Sequence, residues 1–347
     1  MAPTARGLLL RRLAGLACAL LLTAGHATAA TLSVPNQYET IQAALDSCAG
    51  GDTVLVEPGT YTGPGNKNLD FHGAGVVLLS AAGAELTVID CESQGAGLLF
   101  HSGEPSTARV EGFTIRNASG GGIVCITAGP SIVDCVIAAN SPSGVICNQA
   151  APAISGCILA GNESTGAGGG IYCYSASSPA VVGCVITGNR AATCGGGIYC
   201  STSTPFIASS TISRNAAAQG GGICCHSVSY PIVEQSIVWG NCAATGHEVY
   251  LAFGSVVSFN CCAVDDGGVQ GIVDYIGRQV SADPRLCGIR SCEDAPTTAG
   301  DYALAADSPC LPGASPCNML IGALDQGCAE SPVARTTWGS FKSGFRY

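Results

Sequence analysis

Charge is scarce in this 347-residue chain. Only 11% of its residues are Asp, Glu, Lys or Arg. No basic patch exists, which argues against nucleic acid as a partner. The periodic segments also lack the Ala-Leu-Glu-Lys helix formers, which argues against a helical solenoid. There is no Gly-x-Ser-x-Gly nucleophile turn and no phosphate loop. Cys-x-x-Cys spacing is absent, so the 21 cysteines do not read as a zinc framework.

What is present is a repeat. Pro130, Pro152, Pro179, Pro205 and Pro231 each open a unit, and ten residues later stand Asn140, Asn162, Asn189, Asn215 and Asn241. The period is 22 to 27 residues. A unit this short cannot bury a core alone and must stack on its neighbours.

Aligned units show apolar columns. Ile132, Ile154, Val181, Ile207 and Val233 form one, and Ile137, Leu159, Ile186, Ile212 and Val238 another. Between them lie Cys135, Cys157, Cys184, Ser210 and Ser236. A further segment, typically Gly-Gly-Gly-Ile-x-Cys, contributes Ile123, Val145, Ile171, Ile198 and Ile223. Two residues on come Cys125, Cys147, Cys173, Cys200 and Cys225. These runs are short, β-branched and alternating, so they are strands with both columns inward. The Asn column fits a corner at which amides bond from coil to coil and the backbone enters the left-handed region. Length varies mainly between Asn and the Gly-rich strand, which marks that corner as a variable loop. Such coils, stacked parallel at about 4.8 Å, describe an all-β parallel β-helix.

The chain resembles right-handed parallel β-helix proteins of the pectate-lyase-like superfamily. Its Asn and Gly-Gly-Gly-Ile phrases also resemble the repeats of chlamydial polymorphic outer-membrane proteins. Tyr38-Glu39-Thr40-Ile41-Gln42-Ala43-Ala44-Leu45, Gly51-Asp52-Thr53-Val54 and Pro58-Gly59-Thr60-Tyr61 are similar to the usual start of such domains. The resemblance implies a short N-terminal capping helix and then the first strand. Asp301-Tyr302-Ala303-Leu304 and Asp307-Ser308-Pro309-Cys310 resemble the closing coil.

The expected organisation is a signal peptide over 1–29, a β-helix over 30–328 with a cysteine-rich cap from about 242, and a tail over 329–347. Arg6, Arg11 and Arg12 precede an apolar stretch at 13–24 that is too short to span a bilayer, followed by Ala27-Thr28-Ala29. Without these three arginines, 11 basic residues face 24 acidic ones, a net charge near −13. An exported protein with an even complement of 20 remaining cysteines favours disulfides. These are expected among Cys261, Cys262, Cys287, Cys292, Cys310, Cys317 and Cys328. The inward cysteine columns read either as small, weakly polar core residues or as partial pairs. The tail, with Arg335, Trp338, Phe341, Lys342, Phe345, Arg346 and Tyr347, reads as an edge-covering strand or as a sorting or attachment tag.

The superfamily resemblance raises polysaccharide lyases and glycoside hydrolases, which need clustered acids and bases. In the clear repeats the acids are Asp134, Glu163 and Glu234, and the bases are Arg190 and Arg214. Asp134 and Glu234 lie four coils apart, about 19 Å at strand spacing, too far for a pair. Asp90 and Glu92 read as a turn first and a cation-binding pair second, and Asp265-Asp266 as a tight turn first and a calcium loop second. Asp274 and Arg278, with Asp283 beyond, read as a site on a long loop or, since Asp283-Pro284 resembles the family's closing-coil phrase, as part of that coil. His72, His101, His226 and His247 read as isolated. One outward pair remains. Tyr172 and Tyr199 fall on adjacent coils and should stack, either as cross-strand stabilisers or as a platform for a sugar or protein. No catalytic residue and no cofactor is expected.

The resulting expectation is a secreted or cell-surface scaffold, non-catalytic and adhesive or glycan-binding. The alternative is an enzyme acting on an extracellular polysaccharide. Partners are an extracellular polysaccharide or a cell-surface molecule, with no transmembrane segment in the mature chain.

Overall fold

The computed structural model describes residues 29–288 and 291–328. The segment expected to be a signal peptide, apart from Ala29, and the expected tail over 329–347 lie outside the described residues.

Each coil takes three short strands. In the unit opened by Pro130 these are Ser131–Val133, Val136–Ala138 and, past the Asn140 corner, Val145–Asn148. Every strand pairs in parallel with its counterpart one coil away, giving a first sheet of 11 strands and second and third sheets of nine. The columns are in register: Ile132 pairs with Ile154, Ile137 with Leu159, and Cys125 with Cys147. All the named column residues are buried and most are fully buried. Each burial of a branched aliphatic stabilises by about 1.5–3 kcal/mol, so stacking compensates for the small size of one unit. The fold is a right-handed parallel β-helix. At its start, the helix Ile41–Leu45 is capped by Thr40, whose hydroxyl accepts from the Ala43 N–H, and it buries Ile41, Ala44 and Leu45.

The corners are held by side-chain ladders. Asn140, Asn162, Asn189, Asn215 and Asn241 form an unbroken one, each amide oxygen accepting from the backbone N–H of the preceding rung at 2.9–3.0 Å. At the turn between first and second sheets, the Cys135 N–H donates to Cys157 Sγ, Cys184 to Ser210 Oγ, and Ser210 to Ser236 Oγ. That column supplies acceptors for buried backbone donors as well as filling space. At the corner returning to the first sheet, the Ala150 N–H donates to Ser177 Oγ, the Ser203 N–H to Ser229 Oγ and the Ser229 N–H to Ser255 Oγ.

Strands continue through the cysteine-rich region to Ile272–Ile276. The following segment then folds back along the outside of the second sheet. Tyr302 and Leu324 pack on Val136, Ala138, Ile158, Ala160 and Val185, while Leu286, Leu304, Cys310 and Ile321 cover Ile237 and Ala263. The Thr297 N–H donates to the Gly188 carbonyl at 2.9 Å, and the Ala323 N–H donates to Thr211 Oγ1 at 3.0 Å. This strap explains why the second sheet is apolar on both faces.

Four disulfides are present among the described residues: Cys194–Cys224, Cys242–Cys292, Cys261–Cys317 and Cys287–Cys328. Two members of the expected group are corrected. Cys262 and Cys310 are free and fully buried. Cys262 donates to the Val233 carbonyl at 3.2 Å in the second-corner column, and Cys310 sits in the apolar cluster under the strap. The inward columns are also free thiols.

Candidate ligand-binding surfaces

Parallel in-register stacking repeats each outward position at the strand spacing. On the third sheet this aligns Val124, Ile146, Tyr172, Tyr199, Cys224 and Tyr250. Tyr172 and Tyr199 stack, with ring centroids 5.3 Å apart and planes 16° apart. Four more rings extend the pair. Tyr174 lies 5.0 Å from Tyr172, and His226 lies 5.8 Å from Tyr199, 5.9 Å from Tyr250 and 5.3 Å from Phe253. The rings are half-buried except Phe253, which is 71% exposed. Apolar surface continues around the corner through Val228, Tyr230 and Ile232. Burial raises the Tyr172 and Tyr199 hydroxyls and lowers the His226 imidazole from their ordinary pKa values, so these groups present neutral donors and acceptors near neutral pH. The Cys194–Cys224 disulfide anchors the neighbouring loop to this face.

The variable loops form a second surface. Behind the Asn ladder, Glu163–Ser164 pairs in parallel with Arg190–Ala191, and bridges continue to Ala216 and Cys242. Together with the strap they enclose a groove of about 970 Å³, floored by alanines and edged by Glu163, Arg190, His247 and Glu293. The Arg190 guanidinium is committed to the Ala295 and Glu293 carbonyls. At one end the ladder stops. No asparagine forms the rung after Asn241; instead Glu248, fully buried, accepts from the Asn241 backbone N–H at 3.2 Å and from its amide. Burial pushes the Glu248 carboxyl up to about 7.

The sequence-derived acids do not converge. Asp90 accepts from the Glu92 N–H at 3.0 Å in a turn and pairs with Arg116, while Glu92 pairs with Lys67. Asp265 caps a short 3-10 helix, and Asp266 accepts from Tyr275 and Ser281. Asp283 accepts from the Arg285 N–H. Arg214 is buried beneath the strap, donating to the Tyr302 hydroxyl at 2.7 Å, so this apparent base is structural. The histidines are not isolated, because coil stacking joins residues far apart in sequence. His72 and His101 flank Asp70, His247 meets Asp265, and His226 lies among the rings. The extension of the Tyr pair was visible only as single aromatic residues in successive Gly-rich strands.

Residues 54–208 match a family model described as a right handed beta helix region. No curated protein matches the chain. Among solved structures, it is similar to pectate lyase Pel9A, with 15% identity, 87% of this chain and 98% of that one covered, and a TM-score of 0.52. It also aligns with an alginate lyase from Paenibacillus sp. str. FPU-7, with 12% identity, 73% and 98% covered, and a TM-score of 0.45. At these identities the likeness concerns the fold. By its coil geometry the chain is a right-handed parallel β-helix, the fold described by the family model that residues 54–208 match and shared with pectate lyase Pel9A.

Proposed function

We propose that this protein is an exported, non-catalytic β-helix that binds an extracellular polysaccharide along the aromatic row of its third sheet. The carrying observation is the continuity of Tyr174, Tyr172, Tyr199, His226 and Tyr250 across four coils. A rigid row with apolar edges and neutral polar tips suits a sugar chain, whose units offer C–H faces and hydroxyls. Adhesion at a cell surface follows if the tail over 329–347 attaches the protein there. Calcium is not needed for this reading.

The test is a glycan array with the mature protein, followed by Tyr172→Ala with Tyr199→Ala and by product analysis of each bound glycan. Retention that falls about tenfold or more in the double variant, without cleavage, supports the proposal. Equal retention removes the aromatic row from consideration. Cleavage replaces the scaffold reading with the lyase or hydrolase alternative and directs attention to the loop groove.

A further inference from the structure

We propose that His247, Glu248 and Asp265 form a zinc-type divalent-cation site at the end of the loop groove. One ligand atom from each of the three lies within 4.8 Å of those of the other two. They come from two stacked coils, and His247 Nε2 stands 3.3 Å from Asp265 Oδ2. One imidazole with two carboxylates suits zinc or manganese better than calcium, which takes oxygen ligands.

The Asn ladder supplies an independent reason. In five coils the residue before the inward apolar one is Gly122, Gly144, Gly170, Gly197 or Gly222. A Cβ there would lie 2.8–3.1 Å from the following rung's amide nitrogen. The coil after Asn241 has no such rung, and Glu248 occupies the glycine position and fills the space. A glutamine oxygen would accept the Asn241 N–H groups equally well. The chain instead buries a carboxylate completely, with no Lys or Arg ion pair to it among the described residues. Buried carboxylates are paired, held neutral or bound to metal, and a cation beside His247 and Asp265 would compensate the charged form of Glu248. Asp265 adds a second acid, and its only described ion-pair partner is His247.

The approach is also built in. Gly268 packs so closely that a Cβ would lie 2.4 Å from His247 Nε2. The backbone of that loop is thereby held against the imidazole, with Asp265 at its start. His247 lines the groove and its side chain is 38% exposed, so the imidazole end of the site is reached from the groove.

The test is zinc titration of the chelator-treated full chain by calorimetry and by thermal unfolding, with manganese and calcium in parallel. One equivalent of zinc should bind and raise the unfolding temperature with concentration. His247→Ala and Asp265→Asn change partly exposed side chains and should retain the fold. Each should lose more affinity than the roughly 10–100-fold typical of an outer-shell change. Glu248→Gln should keep the ladder end, remain folded without metal and bind zinc comparably weakly. Absence of stoichiometric zinc binding overturns the proposal, as does wild-type affinity in the His247 and Asp265 variants, which would place the ion elsewhere.

Discussion

Asn189 donates twice to one oxygen: its backbone N–H and its side-chain amide both reach Asn215 Oδ1, at 3.0 and 2.9 Å. The same amide donates to the Leu159 carbonyl at 2.9 Å, and its own oxygen serves Asn162 in the same way. Asn189→Ala therefore strands buried donors on Asn162 and removes two bonds made by Asn189. A loss of about 2–5 kcal/mol is expected from the usual cost of unsatisfied buried groups. Denaturant midpoints read it directly. Asn189→Asp keeps the acceptor but sets a carboxylate against two carbonyl-type oxygens, and should be no better tolerated.

The strap is tied to the coils by the Cys242–Cys292 bridge, which closes 50 residues of sequence. Replacing both cysteines by serine should cost about 2–4 kcal/mol. Limited proteolysis should then cut the strap earlier than the coils, since its attachment and not the solenoid core has been weakened.

The inward cysteine columns give a countable outcome. Burial pushes the Cys125 and Cys157 thiols well above their ordinary values, so they are slow to form thiolate and to react. Native protein should show almost no thiol reactivity. Unfolded, non-reduced protein spanning residues 30–347 should expose twelve thiols. A substantially lower count would mean that the columns pair.

Acid should loosen the coil corner at Asp90. Partial burial raises this carboxyl, but bonds from Asn117, the Glu92 N–H and Arg116 outweigh it and hold it below the usual range. A folded-state pKa below the unfolded one stabilises above the unfolded value and is lost as pH falls through the folded value. Asp90→Asn should thus flatten the acid limb of the stability profile. An unchanged limb would assign it to other carboxylates.

The Asn column and the apolar columns were legible because each recurs wherever a coil meets the same constraint. Tyr172 and Tyr199 were legible for the same reason, as one outward position on adjacent coils. The Cys/Ser ladder was seen only as a core column, since sequence does not show which backbone N–H a small side chain faces. Cys194–Cys224 escaped notice because Cys194 belongs to a variable loop and Cys224 to the outward row, and neither position repeats as cysteine.

Sequence alone thus determined the coil, its inward face and the Asn corner. Repetition turns a local steric or hydrogen-bonding demand into a visible period. Tertiary structure decided where the strap lies, which cysteines pair, that His226 joins the tyrosines and that Glu248 ends the ladder beside His247 and Asp265. Those contacts are single events between different elements, some about a hundred residues apart, as in Arg190 with Ala295. They depend on the packed shape of surfaces that exist only after the coils have stacked.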